Sequence, residues 1–190
     1  MSKGKEPFNT TNNLRRAFLP PNFSFEIQGS EPVGQSFTPS QTSVGFVQLE
    51  PGDGLAFNGV GATLYVNLRS NSISGPIMSS TAPVFMPDHF FGITNFIFST
   101  PAAVVPGTTY FFEVVVQSGD NWVVNTLGNV YPGGIAYFSQ AAQPIWDLWF
   151  REGIIVPEPS AAWLILLGGG LWFYVRRKLG RAISKAQRVW

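Results

Sequence analysis

From Phe23 onward the chain alternates apolar and polar positions with a period of two. Phe23, Phe25 and Ile27 alternate with Ser24 and Glu26. In Ala62–Arg69 the apolar residues Ala62, Leu64, Val66 and Leu68 all point one way, as in a half-buried strand. Further strands are predicted at 44–49, 84–86, 93–98, 110–117, 121–125, 135–139 and 146–151. Turn chemistry separates them: Pro51-Gly52-Asp53-Gly54, Gly75-Pro76, Pro106-Gly107, Ser118-Gly119-Asp120-Asn121 and Pro132-Gly133-Gly134. The stretch Gln117–Trp122 is expected to be a hairpin joining two adjacent strands. Eight to ten short strands at this spacing predict an all-β, jelly-roll-like β-sandwich over residues 23–155.

The pattern breaks at both ends. Residues 1–22 show no periodicity and are expected to be a disordered N-terminal segment. Met1–Pro21 holds four basic residues but no apolar run of secretory type, so an export signal is expected upstream of Met1. At the other end, Ala161–Val175 is fifteen uncharged, mostly apolar residues followed at once by Arg176-Arg177-Lys178. As a helix it would be about 22 Å long, a short span for a hydrocarbon core of about 30 Å. A buried core helix would show a polar face, and this segment has none. One C-terminal transmembrane helix over 161–175 is the expectation. The basic cluster acts as stop signal and cytoplasmic flank, leaving the body outside.

Charge reinforces this reading. All 11 acidic residues lie at or before Glu158, and six of the 12 basic residues lie in the last fifteen positions. The body through Pro159 therefore carries −5 and the tail +6. Because the basic patch directly follows an apolar run, it reads as a membrane flank and not as a nucleic-acid site. The absence of cysteine excludes disulfides, thiolate-bound zinc and thiol catalysis.

Val156-Pro157-Glu158-Pro159, a short spacer, an apolar helix and an arginine cluster, in that order, resemble the PEP-CTERM sorting domain of Gram-negative bacteria. The resemblance covers residues 156–178. It implies recognition by exosortase, a transpeptidase-like membrane protease of organisms that make exopolysaccharide. It also implies a single-pass membrane precursor in the cell envelope that ends at the cell surface or outside it. The alternative is a plain, uncleaved single-span anchor. Residues 179–190 depart from the pattern, which normally ends soon after the basic cluster. They are expected to form a basic cytoplasmic tail on the inner leaflet. A second resemblance concerns the body. Pro106–Tyr110, Tyr131–Tyr137 and Asp147–Arg151 resemble, in order, segments of carbohydrate-binding-module-like domains of bacterial surface proteins.

Catalytic chemistry is sparsely represented. The one histidine, His89, sits in Pro87-Asp88-His89-Phe90 and reads as a solvated loop residue, not as part of a triad. Glycoside hydrolysis needs a facing carboxylate pair. The candidates are Glu50, Asp53, Asp88, Glu113, Asp120, Asp147 and Glu152. Glu113, in a long apolar strand, is expected on the outer, exposed sheet face. Asp53 and Asp120 are weak calcium candidates without the spacing of a calcium loop, and no cofactor is expected. Among the aromatics, Trp122, Tyr131 and Trp146 lie beside turns and are the candidates for stacking on a sugar ring. Trp149 and Tyr137 read as core. The expectation is a non-enzymatic surface or extracellular-matrix protein whose partners are an exosortase-type protease and the membrane. An envelope-attached carbohydrate-binding module with polysaccharide as partner is the alternative, and a glycan hydrolase the remote one.

Overall fold

The computed structural model describes residues 23–155, and those up to Ile154 belong to one compact unit. The expected transmembrane helix, the sorting motif, the basic cluster and both terminal segments lie outside the described residues. Among the described residues no helix is long and apolar enough to cross a membrane.

Among the described residues there are fourteen strands, more than the eight to ten expected. They are β1 (Ser24–Glu26), β2 (Val33–Phe37), β3 (Ser43–Leu49), β4 (Pro51–Asp53), β5 (Ala62–Ser70), β6 (Ile77–Ser80), β7 (Val84–Met86), β8 (Thr94–Ala103), β9 (Tyr110–Ser118), β10 (Trp122–Gly128), β11 (Ala136–Phe138), β12 (Ala141–Gln143), β13 (Trp146–Leu148) and β14 (Phe150–Gly153). All named pairings are antiparallel. One sheet runs β12-β11-β2-β9-β5-β6, with β7 also on β5. A second runs β1-β10-β13 with β4 on β10, and a third runs β14-β3-β8. Only Glu50 separates β3 from β4, and its carbonyl accepts from Asn125 N at 3.0 Å, so the second and third sheets meet there.

The architecture is sandwich-like because the inner faces share one core. Val33, Phe37, Leu64, Val66, Leu68, Phe112 and Val114 of the large sheet pack with Val44, Val47, Leu49, Phe96, Trp122, Val124 and Leu148 of the other two. Burial of this apolar surface is the main stabilising term, at roughly 25 cal/mol per Å². The pairing is nested: β1 with β10, β2 with β9, β3 with β8, β5 with β7.

Two local expectations are corrected. The segment Gln117–Trp122 is not a hairpin, since β9 pairs with β2 and β5 whereas β10 pairs with β1, β4 and β13. The chain crosses between sheets there, with Gly119 at φ 116°. A Cβ at Gly119 would stand 2.5 Å from the Gly61 carbonyl oxygen, so a glycine is required. The run 146–151 is two strands, not one. β13 pairs with β10 and β14 pairs with β3, and the chain changes partner at Trp149, whose N–H donates to Asn125 O at 3.0 Å.

Candidate functional site

The change of partner at Trp149 positions a cleft. β13 runs antiparallel to β10 and β14 runs antiparallel to β3, so the chain enters the fork beside one strand and leaves beside the other. The other edge of β14 is unpaired. A cleft of about 520 Å³ opens here, bordered by Leu127 and Tyr131 on one side and by Trp149, Arg151 and Glu152 on the other.

Asp147 anchors the wall of this cleft. It is 1% exposed. Its Oδ1 accepts from Gln35 Nε2 at 2.8 Å, and its Oδ2 accepts from Val130 N and Tyr131 N, each at 2.7 Å. Gln35 in turn accepts from Leu148 N at 2.9 Å. A buried carboxylate with this many donors is a structural anion that holds the 129–131 turn in place. Tyr131 packs edge-on against Phe150, with centroids 5.2 Å apart, and its hydroxyl accepts from Thr38 N at 3.0 Å.

The two other charged residues of the cleft are arranged differently. The Arg151 guanidinium lies over the Trp149 ring, 5.7 Å from its centroid. Glu152 is half-buried, and desolvation pushes its carboxyl above the usual range. Neither side chain is hydrogen-bonded or ion-paired to another among the described residues. The one ion pair between described residues is Arg69–Glu113, at 2.7 Å.

The structure separates the three candidate stacking residues. Trp122 is 0% exposed, which corrects its reading as a surface platform. Its ring stacks on Phe90 with centroids 6.3 Å apart, and its Nε1 donates to Asp120 Oδ1 at 3.0 Å. The turn before it supplies the polar partner for the indole and the strand after it carries the ring into the core. Trp146 is half-buried, packs against the core and meets the Phe23 ring in a tilted contact, centroids 5.9 Å apart. Tyr131 borders the cleft. Trp149, expected in the core, is half-buried at the cleft and outside the core cluster, which corrects that reading as well. Alternation along 146–151 gives no signal of this, because the chain changes strand partner at Trp149.

The candidate carboxylates also have defined positions. Glu113 is 8% exposed, contrary to the expected outer-face position. Its Oε2 accepts from Arg69 Nε and Asn67 Nδ2, each at 2.9 Å. Both faces of the central strands β9 and β5 are covered here, so the alternation that placed it outside does not apply. Asp53 and Asp88 staple the 53–61 loop. Asp53 accepts from Leu55 N and His89 N, at 2.8 and 2.7 Å, and Asp88 accepts from Phe57 N and Gly59 N, each at 2.9 Å. The hydrogen bond from Gly59 leads in holding the Asp88 carboxyl below its ordinary range. The rings of Phe57, at φ 73°, and His89, at φ 64°, meet in a tilted contact on the exposed surface, centroids 4.0 Å apart. Asp120 accepts from Asn58 and Trp122 side chains. Among the described residues no group of three His, Cys, Asp or Glu side chains could hold a metal ion. Glu50 accepts from Asn125 Nδ2.

Residues 156–178 match the PEP-CTERM protein-sorting motif. The chain thus carries the signal of an exosortase-sorted surface protein, made as an exported, membrane-anchored precursor in the cell envelope. No curated protein and no solved structure matches the chain.

Proposed function

We propose that this chain is a non-enzymatic surface or extracellular-matrix protein, whose sorting tail delivers a jelly-roll body to the outside of the cell. The single observation that carries the reading is the match of residues 156–178 to the sorting motif. Within that match the order is Val156-Pro157-Glu158-Pro159, the apolar segment 161–175, then Arg176-Arg177-Lys178. The apolar segment serves as the membrane anchor of the precursor and the basic cluster keeps its end in the cytoplasm. An exosortase-type protease then processes the precursor at the Pro-Glu-Pro motif.

Two features of the body support this reading. The nested pairing of β1–β10, β2–β9, β3–β8 and β5–β7 supports a jelly-roll reading of the sandwich-like body. The carboxylates considered for hydrolysis are mostly engaged in structural bonds: Glu113 with Arg69, Asp147 with the 129–131 turn, and Asp53 and Asp88 with the 53–61 loop. A carboxylate held in this way is poorly placed to exchange protons with a substrate.

The reading is tested by replacing Pro157, Glu158 and Pro159 together with alanine in a host that carries an exosortase. The altered chain should accumulate in the membrane fraction at the precursor size, and surface material should fall to background by immunoblot. Unchanged surface display of the triple variant would contradict the role of the motif.

A further inference from the structure

We infer that the cleft beside β14 binds a saccharide unit that bears a carboxylate, with Trp149, Arg151 and Glu152 as its contact residues. The inference goes beyond surface sorting and rests on the body alone.

The argument begins with how this domain treats its other withdrawn charges. Glu113 has Arg69 and Asn67, Asp147 has Gln35 and two backbone N–H groups, and Glu50 has Asn125. Removing a carboxylate from water without a partner is costly, and in each of these places the fold supplies one. Glu152 is the exception. It is half-buried at the cleft, and its carboxyl is raised by desolvation with no compensating partner among the described residues. The neighbouring Arg151 is an exception of a related kind. Its guanidinium rests on an indole face and not on an anion. A cleft that gathers an acid and a cation, neither paired among the described residues, and an aromatic face is a site built for a ligand and not for the fold.

The chemistry of the three groups selects the ligand class. The Trp149 face and the apolar wall made by Leu127, Val130 and Phe46 suit a ring with an apolar face. A carboxylate at Glu152 accepts hydrogen bonds from hydroxyls. Arg151 presents a planar fork that pairs with a carboxylate, and because it lies over one face of the Trp149 ring, a ligand carboxylate held by it would be kept against the indole, whose other face is the one for the sugar ring. A pyranose with hydroxyls and one carboxylate meets all three requirements. The volume of about 520 Å³ lies within the ordinary range of small-molecule sites, roughly 300–1,000 Å³. Because β14 is unpaired on one edge, side chains from both of its faces reach the same opening.

The test uses the full chain in a zwitterionic detergent without a sugar headgroup, titrated with trigalacturonate and followed by calorimetry and tryptophan fluorescence. Saturable binding is expected, weakened on the order of tenfold or more by Arg151→Met, which removes one charge-assisted contact. Arg151 is exposed, so its replacement should leave the thermal melt unchanged and the loss can be assigned to the site. Trp149→Leu should abolish binding, and the galactose trimer, identical but for its carboxylates, should bind at least several-fold more weakly. The basic tail is a second place where an anionic sugar would stick, and Arg151→Met separates the two. No saturable binding of trigalacturonate, undiminished binding by Arg151→Met, or equal binding of the neutral trimer would each overturn the inference. None of these results bears on sorting, which is read from the location of the chain in the envelope.

Discussion

Replacing Trp122 with alanine is expected to destabilise the body by about 3–5 kcal/mol, the usual cost of emptying a large buried aromatic site. The ring is wholly buried, stacks on Phe90 and belongs to the core cluster shared by the facing sheets. The alanine also leaves Asp120 Oδ1 without its indole donor. Single domains are stable by only about 5–15 kcal/mol, so this loss removes a large share of the margin. A thermal melt followed by circular dichroism should show a fall on the order of 10–20 °C. A near-unchanged melt would mean that the indole is not core. Trp149→Leu, at a half-buried position outside the core cluster, should move the melt far less.

The second large effect is expected at the ion pair inside the large sheet. Arg69 donates from Nε and Nη2 to Glu113 Oε2, at 2.9 and 2.7 Å, and from Nη1 to Gly75 O at 2.6 Å. Its replacement by methionine leaves Glu113 largely buried with only Asn67 as partner. Breaking a buried pair from one side costs about 3–5 kcal/mol, and the partial exposure of both side chains places this one near the lower end. The sign of the test lies in the double variant. Arg69→Met combined with Glu113→Leu removes the stranded charge, so urea denaturation should show much of the lost stability restored. Additive losses in the double variant would show that packing of the Arg69 stem, and not the stranded carboxylate, carries the effect.

These two residues also show where the sequence pattern was readable and where it was not. The strand with clean alternation, β5, was legible at nearly its observed bounds because one face is apolar, and β7 was legible as a short apolar run. Four strands were not. β2 reads Val33-Gly34-Gln35-Ser36-Phe37, and its polar pair looks like loop, yet every residue is buried. Gln35 bonds to Asp147 and Leu148, and Ser36 bonds to the backbone of Ile135. β4 begins Pro51-Gly52-Asp53, a turn signature, but Gly52 is there because the Phe91 ring lies on it. A Cβ would meet that ring at 2.7 Å. β12 follows a two-residue turn at Ser139-Gln140, both with positive φ, a conformation usually marked by Asn-Gly. β6 is largely exposed, with Ile77 and Met78 facing water, so it carries no amphipathic pattern.

The candidate site divides in the same way. The tail is a linear signal, and its residues 156–178 were fully legible because motif, apolar run and basic cluster are read in order along the chain. The cleft is a tertiary feature. It arises where β10 and β3 diverge and the chain turns at Trp149, a geometry that alternation within 146–151 does not encode. Turn-flanking position was a poor guide to aromatic exposure. Trp122 follows a turn that passes between sheets, so its side chain enters the core at once.

The central claim is that the tail is a processed sorting signal, and the intact mass of the protein recovered from the cell surface of an exosortase-bearing host tests it most directly. The account predicts a mature chain that ends near Pro159 and lacks the apolar segment 161–175, the basic cluster 176–178 and everything to Trp190. Surface material that still carries Trp190 would contradict it and reduce the tail to a retained membrane anchor.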